Sequence, residues 1–173
     1  RKNTKSQFKF DILREVEIKG LSRVPEQRVR NELSVFRGDK LDPYVINRNI
    51  KRIESLGVFE KVNSKLVNFK GGKKWIIFVK ENPVIKNILF KGNTSISSAN
   101  LLTVITSKED ELFSYTDIRD DINSIEAQYK KEGFIFSKVK KADLPTYKNP
   151  NLTFIIEESK YDAIEVSGTT SEK

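Results

Sequence analysis

The sequence predicts an α+β fold: tandem β-α-α-β-β modules, each a three-stranded mixed sheet with two helices on one face. Three observations predict it. A short strand closed by glycine recurs as Val16-Glu17-Ile18-Lys19-Gly20, as Ile88-Leu89-Phe90-Lys91-Gly92 and again as Ile164-Glu165-Val166-Ser167-Gly168. Helix signals follow the first two copies in the same register, since adding 72 takes Gly20 to Gly92, Leu41 to Phe113 and Ile46 to Ile118. Each unit then closes on an apolar run and a glutamate, Trp75 to Val79 before Glu81 and Leu152 to Ile156 before Glu158. A repeat of this length is one supersecondary unit used more than once. The expected modules are residues 8–82 and 83–158, with 159–173 opening a third, truncated one.

In the first module, Phe10 to Lys19 reads as a strand, because Val16 and Ile18 alternate with Glu17 and Lys19. Pro25 opens a helical pattern at a position where its missing N–H does no harm. Val29 and Leu33, four apart, share a face, and Gly38-Asp39 ends that helix. The second helix is better marked. Asp42 is an N-cap, Pro43 the first helical residue, and Leu41 with Ile46 forms a hydrophobic staple. Ile46, Ile50 and Ile53 make an apolar stripe that requires a docking partner; each buried isoleucine contributes ~1.5–3 kcal/mol before entropy. Gly57 closes the helix. Val58 to Val67, interleaved with Lys61, Asn63 and Lys65, suits a sheet edge, and the continuous apolar strand 75–80 suits the centre. Gly71-Gly72 marks the turn between them.

In the second module Ser114 takes the N-cap position, Asp117 the capping-box position and Phe113 with Ile118 the staple. The stripe runs Ile118, Ile122, Ile125 and Tyr129. Gly57 now maps to Gly133, four residues further on, so the second helix gains about one turn. Residues 134–142 read as the edge strand, Pro145 to Pro150 as a loop and Leu152 to Ile156 as the central strand.

Composition narrows the function. No His or Cys is present among 173 residues, which removes the commonest general base, the thiolate nucleophile and the usual transition-metal ligands. No other pairing makes a nucleophile and its base, so no enzyme and no cofactor is expected. Glu109-Asp110-Glu111 and Asp120-Asp121 read as solvated carboxylates. No apolar run approaches the ~20 residues of a spanning helix. No signal peptide is visible at Arg1, and the truncated third unit makes the chain read as a fragment. Residues 1–82 hold 20 Lys and Arg against 10 Asp and Glu, and residues 83–173 hold 12 against 14. The whole basic excess therefore lies in the first module, on Arg23, Arg28, Arg30, Arg37, Arg48, Lys51 and Arg52 among others.

Taken together, these stretches resemble tandem POTRA (polypeptide-transport-associated) domains, which precede the β-barrel of outer-membrane assembly and translocation proteins. Within that superfamily they are most similar to the BamA-type outer-membrane protein assembly factors. The resemblance rests on the run from Val16 to Val24, on Arg37-Gly38-Asp39, and on Leu56-Gly57-Val58-Phe59-Glu60-Lys61-Val62. Glu81-Asn82-Pro83 joins the modules, Phe90-Lys91-Gly92-Asn93 opens the second, and Gly133 to Val139 carries its later motif. The third unit departs, with Thr169 after Gly168 in place of asparagine.

The resemblance implies the periplasmic part of an outer-membrane protein in a diderm bacterium, followed by a β-barrel that this chain lacks. Its implied partners are unfolded outer-membrane protein clients, periplasmic chaperones and accessory proteins of an assembly complex. β-Augmentation would supply the binding, since an edge strand offers unpaired N–H and C=O groups to clients of many sequences. The candidate edge residues are Phe59, Val62, Ser64 and Lys65 in the first module and Ile135, Ser137, Val139 and Lys141 in the second. The opposing reading leaves these edges in solvent, with their lysines as gatekeepers. The basic surface could touch anionic lipid, although a charged helix face usually means only solvation. The alternative is a nucleic-acid-binding α+β repeat. No GXXG loop or paired strand aromatics support it, and the charge asymmetry disfavours it, so no nucleic-acid partner is expected.

Overall fold

The protein is described by a computed structural model over residues 11–159. The start of the first expected strand at Phe10, the third glycine-closed copy and nearly all of the expected third module lie outside the described residues. The described residues pack as two compact units. One holds residues up to 84 together with 110–116, and the other holds 85–109 and residues from 117 onward.

The first unit contains strand β1 (Asp11–Lys19), helix α1 (Glu26–Arg30), strand β2 (Lys40–Leu41), helix α2 (Pro43–Glu54), and strands β3 (Phe59–Phe69) and β4 (Gly72–Glu81). Its sheet has the order β2-β1-β4-β3. The apolar β4 is central, parallel to β1 and antiparallel to β3, and β3 is an edge, as its lysines predict. The sheet has four strands where three were expected. The addition is β2, two residues paired with Asp11 and Ile12, too short to leave a periodic signal. The β3–β4 turn is Lys70-Gly71, both at positive φ (47° and 71°), which places Gly72 inside β4.

Both helices pack on one face of this sheet. Val29 of α1 and Ile53 of α2 are fully buried in a core with Leu13, Trp75 and Ile77. The Asp42 carboxylate accepts the Val45 N–H at 2.8 Å, and Leu41 is buried beside the partly buried Ile46, so cap and staple form as expected. Helix α1 is shorter than its pattern suggests. It ends at Arg30, and Leu33 reaches the core from the following loop.

The second unit contains β5 (Asn87–Lys91), α3 (Ser98–Leu102), most of α4 (Tyr115–Lys131), β6 (Lys138–Asp143) and β7 (Asn151–Glu157). Its sheet is β5-β7-β6, with β7 central, parallel to β5 and antiparallel to β6. At 17 residues, α4 outruns the 12 of α2, as the four-residue shift requires, and Ile118, Ile125 and Tyr129 are buried along it.

The glycines that close β1 and β5 share one constraint. Gly20 and Gly92 have φ of +98° and +85°, and a Cβ at either would strike a carbonyl oxygen of the central strand, that of Val79 or Ile156. Only glycine meets both the left-handed backbone and the close approach.

Two buried polar side chains escaped the periodicity. Asn49, on the inner side of α2, accepts the Ser34 N–H at 2.7 Å and donates to the Val45 carbonyl at 2.8 Å. Asp121, the residue 72 positions later, is equally buried and accepts the N–H groups of Thr106 and Ser107. Asp121 is therefore no solvated helix-face carboxylate; it ties the loop after α3 to α4. A polar letter inside an apolar stripe is the signal that could have revealed both.

Candidate polypeptide-binding site

In an antiparallel ladder every second residue of an edge strand turns its N–H and C=O away from its neighbour. Strand β3 presents this edge over eleven residues, with one bulge at Phe59–Lys61 and, among the described residues, no strand beyond it. Among the described residues no side chain bonds to its outward backbone. Phe59 and Val62 face the core, so they would contribute only main chain. Lys65 points to the open face, where its ammonium lies 5.4 Å from the Phe78 ring centroid. Ser64 sits between them, half-buried opposite Ile77.

The corresponding strand of the second unit differs. Strand β6 has six residues and a bulge between Val139 and Lys141. The Val139 N–H is already bonded to the Glu126 carboxylate at 3.0 Å. Ile135 and Ser137 are not on the edge at all, which corrects the expected strand 134–142. Phe134 N–H returns to the Tyr129 carbonyl at 2.9 Å, and Ser137 N–H closes a turn on the Phe134 carbonyl at 3.0 Å. The Phe134 ring meets Tyr129 edge-on at 6.0 Å, so Phe134 serves the end of α4 and not a strand, while Phe136 is exposed. Ser137 is buried, and its hydroxyl accepts the Ser159 N–H at 2.9 Å. At the opposite edge the Ile88 N–H of β5 is bonded to Glu109 at 3.2 Å, so this carboxylate too is engaged.

The seven basic candidates are all exposed, but they do not form one open patch. Arg30 is paired with Glu26 at 2.6 Å and Arg52 with Glu32 at 3.5 Å. Arg23 donates to the Asp110 carbonyl, and Arg48 reaches the Ser34 hydroxyl and the Tyr44 ring. Among the described residues no carboxylate pairs with Arg28, Arg37 or Lys51. Arg28 lies on α1, Arg37 on the following loop and Lys51 on α2.

Behind each sheet a glutamate orders the loop that follows the glycine. Glu81, at the end of β4, accepts the N–H groups of Ser22, Arg23 and Val24 at 2.8–3.1 Å. Glu158, just past β7, accepts the Ser95 N–H at 2.8 Å, the Thr94 and Ser95 hydroxyls, and the Tyr129 phenol at 2.7 Å. Burial pushes the Glu158 carboxyl up, but these donors outweigh it and bring its pKa down to about 2. Burial, then the hydrogen bond to Glu158, pushes the Tyr129 phenol above its ordinary range. Both carboxylates are engaged within the fold.

The POTRA model, described as a surface antigen variable number repeat, matches residues 12–82 and again 83–159. The chain belongs to the POTRA family. Its two POTRA matches are similar in sequence to parts of curated outer-membrane protein assembly factors named BamA. The Nitratidesulfovibrio vulgaris protein is 29% identical over 129 residues, covering 75% of this chain and 16% of that protein. The Neorickettsia risticii protein is 30% identical over 128 residues, covering 72% and 16%. The chain thus spans about one-sixth of the length of these relatives. Solved POTRA structures share the fold. The N-terminal domain of Omp85 from Thermosynechococcus elongatus superposes with a TM-score of 0.73 at 18% identity, over 84% of this chain and 61% of that one. POTRA1-2 of Omp85 from Anabaena gives 0.65 at 17% identity, over 86% and 96%.

Proposed function

We propose that this POTRA pair is a periplasmic polypeptide-binding scaffold of an outer-membrane β-barrel assembly machine, and that the first module does the capturing, at β3. The sequence kinship with BamA-named assembly factors supports the setting. The observation that carries the mode of binding is the β3 edge: eleven residues long, open, and free of side-chain caps. An extended client adds as a further strand, its main chain supplying affinity with little regard to sequence. Lys61 and Lys65 keep the edge from pairing with copies of itself. Unfolded barrel proteins, chaperones and accessory subunits are the proposed partners, a C-terminal barrel the proposed continuation, and anionic lipid a peripheral contact of Arg28 and Lys51.

Ser64 and Lys65 are consecutive, so one of them turns its N–H outward and the other toward β4. Proline at the outward position removes a donor that only a client uses. Binding of a fluorescent ten-residue peptide of alternating valine and threonine is measured on S64P and K65P, each checked for fold by Trp75 emission. The folded variant is expected to bind about fivefold or more weakly, from one lost hydrogen bond of ~1 kcal/mol and the clash of the ring. K138P, on the partly capped edge, should leave affinity unchanged. Unaltered binding to the folded β3 variant would sink the proposal.

A further inference from the structure

Both helices of the first unit pack on one face of its sheet, and within that unit the other face carries no helix. Strand pairing puts Lys61 beside Lys80, Asn63 beside Phe78, Lys65 beside Ile76 and Val67 beside Lys74 on this open face. Phe69 extends it by alternation, so an apolar stripe runs through Phe78, Ile76, Val67 and Phe69. Phe78 is 36% exposed. Lysine side chains border the stripe. The Lys65 ammonium lies 5.4 Å from the centroid of the Phe78 ring, and those of Lys70 and Lys74 lie 4.9 and 4.7 Å from that of Phe69. A lysine stem shelters apolar surface while its charge stays in water, and it can swing aside for a partner.

The charges divide across the width of this face. On the β1 side they cancel. Lys74 meets Glu15 at 2.7 Å and Glu17 at 3.4 Å, and Lys19 meets Glu17 at 3.2 Å. At the far end Lys80 meets Glu60 at 2.7 Å. Along β3 and its turn they do not cancel. Lys61, Lys65 and Lys70 are exposed, and among the described residues no carboxylate pairs with them. Three ammonium groups without a counter-charge therefore line one side of an apolar stripe.

We propose that this face docks an amphipathic helix with an acidic flank. The main chain of β4 is spent on β1 and β3, so the face offers side chains only. Its occupant must bring a backbone whose hydrogen bonds are already closed, and a helix laid on a sheet is the usual next layer. Asn63, opposite Phe78, and Phe69 are six positions apart on β3. That is about 20 Å of strand, matched by about thirteen residues of helix. Apolar side chains of the helix lie against Phe78, Val67 and Phe69, and its carboxylates meet Lys61, Lys65 and Lys70. The neutralised β1 side offers those carboxylates nothing, which fixes the side on which the acidic flank lies. No main chain of the β3 edge takes part, so this surface is separate from strand capture.

The test is a titration of the chain, labelled with nitrogen-15, by a fourteen-residue peptide held helical by a side-chain lactam. It carries leucine on one stripe and glutamate beside it, and lysine replaces glutamate in the control. Only the acidic peptide should shift the amides of Val67, Phe69, Ile76 and Phe78, and raising chloride from about 50 to about 300 mM should weaken it severalfold. K61E/K65E, changed at two exposed positions, should reduce its affinity about tenfold or more, and K70Q about threefold, with Trp75 emission unaltered. Equal binding of the lysine peptide, an affinity unchanged by K61E/K65E, or shifts confined to α1 and α2 would each overturn the proposal. So would anionic lipid vesicles that bind through Lys61 and Lys65 while the acidic helix does not bind.

Discussion

The two modules share a frame and differ at their edges. In both, a glycine passes under a carbonyl of the central strand, a glutamate at that strand's end gathers the loop after the glycine, and a buried polar residue on the long helix anchors a second loop. Gly20, Glu81 and Asn49 do this in the first module, and Gly92, Glu158 and Asp121 in the second. The edges diverge. Strand β3 is long and bare, while carboxylates occupy the N–H of Val139 on β6 and of Ile88 on β5. The lesson is that a repeated fold conserves the groups that close its loops, while the main chain it leaves unpaired is set separately in each copy. On the function proposed above, capture by strand addition belongs to the first module.

The comparison breaks most sharply at the glycines. Gly20→Val and Gly92→Val should each cost about 3–5 kcal/mol, summing left-handed strain and steric overlap with the central strand. Each should unfold its own module first. Trp75 is the only tryptophan and lies in the first module, so its emission separates the two events in urea. Equal loss of Trp75 signal in both variants would contradict two separately closed frames.

The next effect lies at the buried polar pair. Asp121→Ala strands two loop N–H groups, those of Thr106 and Ser107, and should cost about 2–4 kcal/mol in thermal or urea unfolding. Asn49→Ala strands the Ser34 N–H and takes one donor from the Val45 carbonyl, and should cost about 1–3 kcal/mol. Asp121→Asn turns an amide N–H toward one loop donor and should fall between wild type and alanine, which sharpens why the two copies carry different residues.

Acid should separate the modules as well. The folded Glu158 carboxyl titrates near 2, below its ordinary 4.5. A depressed pKa means that the stabilisation is complete above the unfolded value and drains away as pH falls from about 4.5 toward 2. Urea midpoints of the second module followed by far-UV circular dichroism should fall across that window. E158Q should start lower and stay flatter, and Y129F, which removes one donor, should lie between.

The smallest effect concerns the cap on β6. Glu126→Gln weakens the carboxylate's hold on the Val139 N–H without altering the core. Hydrogen exchange of that amide should accelerate about fivefold, the equivalent of ~1 kcal/mol, while overall stability changes little. If E126Q also gains binding of the valine–threonine peptide, the cap is what silences this edge.

Much of this was legible from residues alone. Asp42-Pro43 named the start of α2, the Ile46, Ile50 and Ile53 stripe named its buried face, and the contrast of Trp75–Val79 with the lysine-bearing run before it placed centre and edge. The misreadings have particular causes. Alternation at Phe134–Phe136 looks like a strand because period two cannot say whether an aromatic ring packs on a sheet or on the end of its own helix. Asp121 looks solvated because the donors that meet it, Thr106 and Ser107, come from a different loop. The bare edge of β3 and the capped edge of β6 read alike, since both carry lysines.

The sequence by itself determined the repeat, the start of α2 and the family, because these rest on local caps, stripes and glycines that recur at a fixed offset along the chain. Only the tertiary structure decided, among the described residues, which carboxylates are consumed and which edge carries no side-chain cap. Those outcomes depend on groups brought together from 13 to 64 residues apart, as with Glu126 and Val139 or Thr94 and Glu158. Hydrogen bonds act over about 3 Å, and no spacing along the chain encodes that distance.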